Sequence, residues 1–220
     1  IIGDPLSKEE QRGIEKILSS TFLEVDAIYN KWNPESELSQ LNALPEKTEM
    51  TLSTQLALFL QKTALFVALD PRFDPTVEPL QRLWQKRLER NNTPSVDELN
   101  QIKKVVGWDN LIFQNKTICK KYSATSLDLG SIAKGYLVDL IVTRLQQIGY
   151  RSIFVEWGGE IRTVGAHPDK RAWTVGITHI TTLTDRKLIK TIQLTDKAVA
   201  TSGDYLQNWT VKNKKYTHVV

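Results

Sequence analysis

Cysteine is nearly missing from this chain. Cys119 is the only one among 220 residues, so no internal disulfide can form, and neither an oxidising nor a reducing compartment is excluded. Histidine is scarce too. His167, His179 and His218 are the full set, and no two stand at metal-ligand spacing, which argues against a zinc centre. A Gly-x-Ser-x-Gly elbow, a Gly-x-x-x-x-Gly-Lys-Ser/Thr loop and a Gly-x-Gly-x-x-Gly fingerprint are all absent, which disfavours a serine hydrolase, a P-loop nucleotidase and a Rossmann domain. No run approaches the roughly 20 apolar residues of a membrane helix. The chain opens at Ile1 without an initiating Met, and the expectation is a processing boundary from which a targeting segment has been removed. At the other end, Tyr216-Thr217-His218-Val219-Val220 reads as a strand cut off in mid-course.

What is there fits a globular fold. Hydrophobic residues make up 40%, enough for one domain with a substantial core or two small ones. Against 25 acidic residues stand 29 basic ones, a net charge of +4. An excess this mild suits an anionic small ligand, whereas a nucleic-acid binder concentrates its basic residues on one face.

Helical periodicity dominates the first half. Ser7 with Glu10 forms a capping box, and Ile14, Ile17, Leu18, Phe22, Val25, Ile28, Tyr29 and Trp32 repeat at helical spacing until Asn33-Pro34 ends the pattern. Further helices are expected over 53–69, 78–90 and from Ser95, where Glu98 completes a second capping box, to about Gly107. Two short strands follow, 110–113 and 117–120, joined at Gln114-Asn115-Lys116. A helix over 131–148 comes next, with Ile132, Tyr136, Leu140, Ile141, Leu145 and Ile148 expected inside. The remainder is mostly β: 152–157, 160–165, 173–179, 188–194, 198–201 and Tyr216 onward. The pattern predicts an α+β domain covering 1–220, or an α-rich N-terminal half packed on a β-rich C-terminal half.

Several segments can carry chemistry. In Asp128-Leu129-Gly130-Ser131-Ile132-Ala133-Lys134-Gly135-Tyr136, a glycine at the mouth of a helix permits close approach of a ligand, and the helix dipole favours an anion there. Lys134 in the first turn opposes that dipole, which a bound phosphate would explain; a plain turn with a solvated lysine explains it equally. Gly158-Gly159-Glu160 sits between two expected strands, and its Gly-Gly pair reads first as a hairpin turn. Thr201-Ser202-Gly203-Asp204-Tyr205 offers hydroxyl and backbone donors or is an ordinary loop. In Phe73-Asp74-Pro75-Thr76-Val77 the acid precedes a helix and is a cap or a ligand. Ser36-Glu37-Leu38-Ser39-Gln40-Leu41-Asn42 carries the same two readings.

Taken in order, these segments together with Tyr216-Thr217-His218 resemble the ApbE family, the FAD:protein FMN transferases. The six stretches span most of the chain, and their order is more specific than any one of them. The resemblance implies a T-fold-like α+β architecture with FAD in a central cleft. It also implies a Mg²⁺-dependent reaction in which a Thr or Ser hydroxyl of a partner protein attacks the FMN-side phosphorus of FAD and AMP leaves. Carried over by position, Trp32, Phe73, Asp74, Asp128, Lys134, Ser202 and Gly203 are the expected FAD contacts, the Ser131 carbonyl the expected metal ligand and His218 the expected general base. Trp32 equally completes the apolar stripe of the first helix. Glu78 stands where the family usually has glycine. The N-terminal Thr-Met-Gly-Thr strand and the later metal-binding Asp and Thr are not in this sequence. Acceptors implied are subunits of sodium-translocating NADH:quinone reductase or related electron-transport complexes. The implied location is exported, tethered to the inner membrane by a lipoprotein signal. An FAD pyrophosphatase on the same scaffold and a non-catalytic flavin-binding protein remain as alternatives.

Overall fold

The computed structural model describes residues 5–70, 72–180, 186–203 and 208–217. Its helices are α1 (Lys8–Tyr29), α2 (Glu37–Ala43), α3 (Thr54–Leu69), α4 (Glu78–Leu88), α5 (Val96–Lys103) and α6 (Gly130–Gln147). Its strands are β1 (Met50–Thr51), β2 (Leu111–Gln114), β3 (Thr117–Lys120), β4 (Ile153–Trp157), β5 (Glu160–Val164), β6 (Trp173–Ile180), β7 (Arg186–Leu194), β8 (Ala198–Val199), β9 (Asn208–Val211) and β10 (Lys214–Thr217). The mixed α+β class expected from the sequence is thus observed. Among the described residues no helix is long and apolar enough to cross a membrane. The chain divides into two compact units, one of residues Ile1–Glu24 and Ile132–Tyr205, the other of Val25–Ser131 and Leu206–Val220.

The unit of Val25–Ser131 and Leu206–Val220 holds α2–α5 and the antiparallel sheet β1-β3-β2. Capping fixes where its helices start. The Ser95 hydroxyl accepts from Glu98 N while the Glu98 carboxylate accepts from Ser95 N, the reciprocal pair expected from the sequence. Ser36 caps α2 by accepting from Ser39 N at 3.1 Å, and Glu37 reaches Ser53 N and Oγ, both at 2.6 Å, at the head of α3. Leu38, Leu41, Leu56, Leu60 and Ile118 are completely buried, and the Tyr29 and Phe59 rings lie 4.7 Å apart. Each such leucine contributes about 1.5–3 kcal/mol on leaving water. Lys120 ends β3 at 1% exposure, its ammonium donating to the carbonyls of Asn42, Ser123 and Thr125 at 2.7–2.9 Å. A hairpin, β9–β10, turns at Lys212-Asn213, both at positive φ as a type I′ turn requires.

In the unit of Ile1–Glu24 and Ile132–Tyr205, β4, β5 and β8 form one antiparallel sheet and β6–β7 a long hairpin. Its core joins Ile161, Trp173 and Leu194, with Phe154, Val175, Ile192 and Val199 against them. The buried face of α6 is Leu137, Val138, Ile141, Val142 and Leu145, whereas Ile148 is 55% exposed. This face shares Ile141 and Leu145 with the one expected from the periodicity but is turned from it by almost one residue. Lys134, Asp139, Thr143 and Arg144 are spread around the helix axis, so the pattern alone does not choose which side turns inward. Gly158 and Gly159 make the β4–β5 turn at φ 59° and 92°. A side chain at Gly159 would overlap the Thr201 hydroxyl, so both the conformation and the space demand glycine.

Candidate functional site

Three segments meet around Asp128. The first begins where α1 ends: the Asp26 carboxylate accepts from the Asn30 amide at 2.7 Å and the Asn33 amide at 2.6 Å, holding a turn that leaves Trp32 78% exposed. The solvent-facing ring rules out the core reading of Trp32. Lys31, its neighbour, places its ammonium 4.8 Å from the Trp32 ring centroid and 2.8 Å from Asp128 Oδ2. The second segment is 73–77. Asp74 caps it, accepting from Thr76 N at 2.8 Å and Thr76 Oγ1 at 2.6 Å, and the Pro75 carbonyl accepts from Asp128 N at 2.8 Å. Phe73 is half-buried. The third segment is 126–130, tied to α2 by the Asn42 amide, which accepts from Leu127 N at 2.7 Å and donates to Leu127 O at 2.9 Å.

Asp128 itself is fully engaged. Oδ1 accepts from Gly130 N at 2.8 Å, which caps the entry to α6. A Cβ at Gly130 would sit 2.9 Å from that same oxygen, so the glycine makes room for a carboxylate of its own chain. Beside this junction lies a cleft of about 320 Å³ whose walls include Lys31, Trp32, Asn42, Glu78, Arg82 and Ser126. Glu78 Oε2 accepts from Ser126 Oγ at 2.7 Å and from Arg82 at 2.5 Å, so the cleft presents its two cations already paired with carboxylates. Lys31, Arg82 and Ser126 were not singled out from sequence. The spacing of Glu78 and Arg82, four apart on a helix, was the legible signal.

Lys134, Ser202 and Gly203 lie in the other compact unit. Lys134 Nζ is 2.9 Å from Glu160 Oε1 and 3.4 Å from the Gly158 carbonyl. With α6 beginning at Gly130, Lys134 stands just past the first turn, and its charge has a buried carboxylate as partner without any ligand. Thr201 Oγ1 donates to the Gly159 carbonyl at 2.9 Å, which brings the exposed Ser202 and Gly203 beside the same turn. Lys134, Gly158, Gly159 and Thr201 are thus assembled, and Trp32, Asp74 and Asp128 are assembled separately. His218, Asp204 and Tyr205 lie outside the described residues. Ser131, the second residue of α6, is exposed. Among the described residues no three His, Cys, Asp or Glu side chains gather as metal ligands. Mg²⁺ keeps several waters and takes substrate phosphates in its near-octahedral oxygen shell, so the Ser131 carbonyl would supply one ligand of that shell.

A profile of the ApbE family matches residues 5–220. An FAD:protein FMN transferase of Chlamydia pneumoniae is 38% identical over 223 residues, taking in 100% of this chain and 68% of the relative. The solved apo structure of the Pseudomonas stutzeri flavinyl transferase ApbE gives a TM-score of 0.79 at 27% identity, over 98% of this chain and 66% of that one. The flavin transferase ApbE from Vibrio cholerae gives 0.77 at 29% identity, over 99% and 69%. This chain spans about two thirds of the length of these proteins.

Proposed function

Because this chain belongs to the ApbE family, we propose that it is an FAD:protein FMN transferase, moving FMN from FAD to a Thr or Ser hydroxyl of a partner protein. The observation that carries the reading is the junction at Asp128, where three segments of family pattern are held by Lys31, Pro75 and Asn42. In the proposed reaction the partner's hydroxyl oxygen attacks the FMN-side phosphorus. The bond from that phosphorus to the bridging oxygen breaks, and AMP departs with that oxygen. His218 takes the hydroxyl proton. Lys134 faces the pyrophosphate charge, Trp32 offers its exposed face to a flat ring, and Phe73, Asp74, Asp128, Ser202 and Gly203 complete the FAD contacts. The family's requirement for Mg²⁺ belongs to the proposal through the Ser131 carbonyl alone, and no step is derived through the ion. The partner proposed is a subunit of an NADH:quinone reductase or a related complex, reached by an exported, membrane-tethered enzyme.

Mass spectrometry of an acceptor incubated with this chain, FAD and Mg²⁺ tests the proposal. The expected result is an acceptor heavier by one FMN with an equal yield of AMP. Free FMN and AMP with an unlabelled acceptor would make the reaction a hydrolysis instead.

A further inference from the structure

Glu160 opens β5 with its side chain only 9% exposed. Oε1 pairs with Lys134, but Oε2 is buried and has no hydrogen-bond partner among the described residues. An unpaired buried carboxylate oxygen is costly, and native proteins rarely leave one so. Among the described residues the Thr201 hydroxyl, beside the same turn, does not supply the missing donor. Its one proton goes to the Gly159 carbonyl. Lys134 has three, of which one goes to Glu160 Oε1 and one to the Gly158 carbonyl, leaving the third to spare on a side chain that is 43% exposed. The cluster therefore has one charged donor and one charged acceptor to spare, side by side. A phosphate only accepts and a sugar hydroxyl also donates. A phosphate ester with a hydroxyl a few bonds away satisfies both vacancies, and FAD carries that pattern on each side of its pyrophosphate.

We propose that Glu160 is a binding residue for a hydroxyl of the ribityl chain or the ribose of the flavin nucleotide, with Lys134 on the adjacent phosphate. The proposal rests on the FAD reading above and gives a role to Glu160, the acid of the Gly158-Gly159-Glu160 stretch, which that reading leaves without one.

Calorimetric titration of this chain with FAD and with inorganic pyrophosphate tests it. Glu160→Ala should weaken FAD by about ten- to a hundred-fold, the range for a hydrogen bond to a charged group. Pyrophosphate has no hydroxyl and should bind the variant no more weakly than wild type, since a nearby negative charge is gone. FMN losing affinity while ADP does not identifies the ribityl chain, and the reverse identifies the ribose. Equal FAD affinity in variant and wild type overturns the assignment and leaves an ordered water as the partner of Oε2. A parallel loss for FAD and pyrophosphate also overturns it, because a purely structural role acts on both. Should Glu160→Ala fail to fold by circular dichroism, Glu160→Gln, of the same shape, carries the same two arms with a loss of at least about threefold. No saturable FAD binding by the folded wild-type chain overturns the FAD reading and the Glu160 assignment together, whereas the earlier results overturn the assignment alone.

Discussion

Asp128 and Trp32 show how single residues divide stability from binding. The Asp128 carboxylate caps α6 through Gly130 N and holds Lys31 through its other oxygen. Gly130→Ala should leave thermal stability nearly unchanged. The gain of about 1 kcal/mol in helix propensity over glycine opposes the crowding of Oδ1, 2.9 Å from the new Cβ. Its effect should fall on the ligand, with FAD affinity down by about tenfold, or about 1.4 kcal/mol, as the carboxylate and Lys31 shift. Melting curves and a flavin-fluorescence titration of the same sample check both halves. An unchanged affinity would separate Asp128 from the flavin. Trp32→Ala makes a similar division. At 78% exposure the ring should be worth no more than about 0.5 kcal/mol to the fold, far from the 3–5 kcal/mol of a buried tryptophan. If it stacks on the isoalloxazine, FAD binding should weaken by about 0.5–1.5 kcal/mol.

At the level of elements, capping was legible and burial often was not. Ser7 with Glu10 and Ser95 with Glu98 form the boxes their spacing announces. Serine and glutamate three apart need no tertiary contact to act. Helix α2 is not legible in the sequence because its seven residues follow a proline turn and are too few to show a period, nor is β9, because Asn208–Val211 is a strand only through its pairing with β10. Lys120 gave no sign of being a buried cation, since its three carbonyl partners come from α2 and from the 123–125 segment. Burial lowers its pKa from 10.5 to about 8. The unfolded chain therefore binds the proton more tightly than the folded one between these values, and stability should rise as pH climbs from about 8 to 10.5. Lys120→Met should lose that rise and, with three carbonyls left unpaired, cost about 1–3 kcal/mol at pH 7. Urea melts of both proteins across the interval measure it, and a gap that narrows with rising pH would contradict the assignment. Glu98 behaves oppositely. Hydrogen bonds from Ser95 N, and then from Arg87, hold its carboxyl near 2, so its contribution is present above pH 4.5 and disappears as pH falls toward 2.

For the whole molecule, 29 basic residues against 25 acidic ones predict weak nonspecific electrostatics. A fluorescent DNA duplex should show no saturable binding at about 0.15 M salt, where basic nucleic-acid proteins still bind; tight, salt-dependent binding would restore the nucleic-acid reading. The division into two units has a different bearing. The chain passes between them at 24/25, 131/132 and 205/206, so each unit is made of two separated stretches. On the ribosome, the unit that contains β4–β8 stays incomplete until residue 205 has emerged, long after its first stretch. The other unit waits for β9 and β10, the last described strands to be made. Neither unit is a continuous run of codons. Moving either unit into another gene would take two separate segments rather than one.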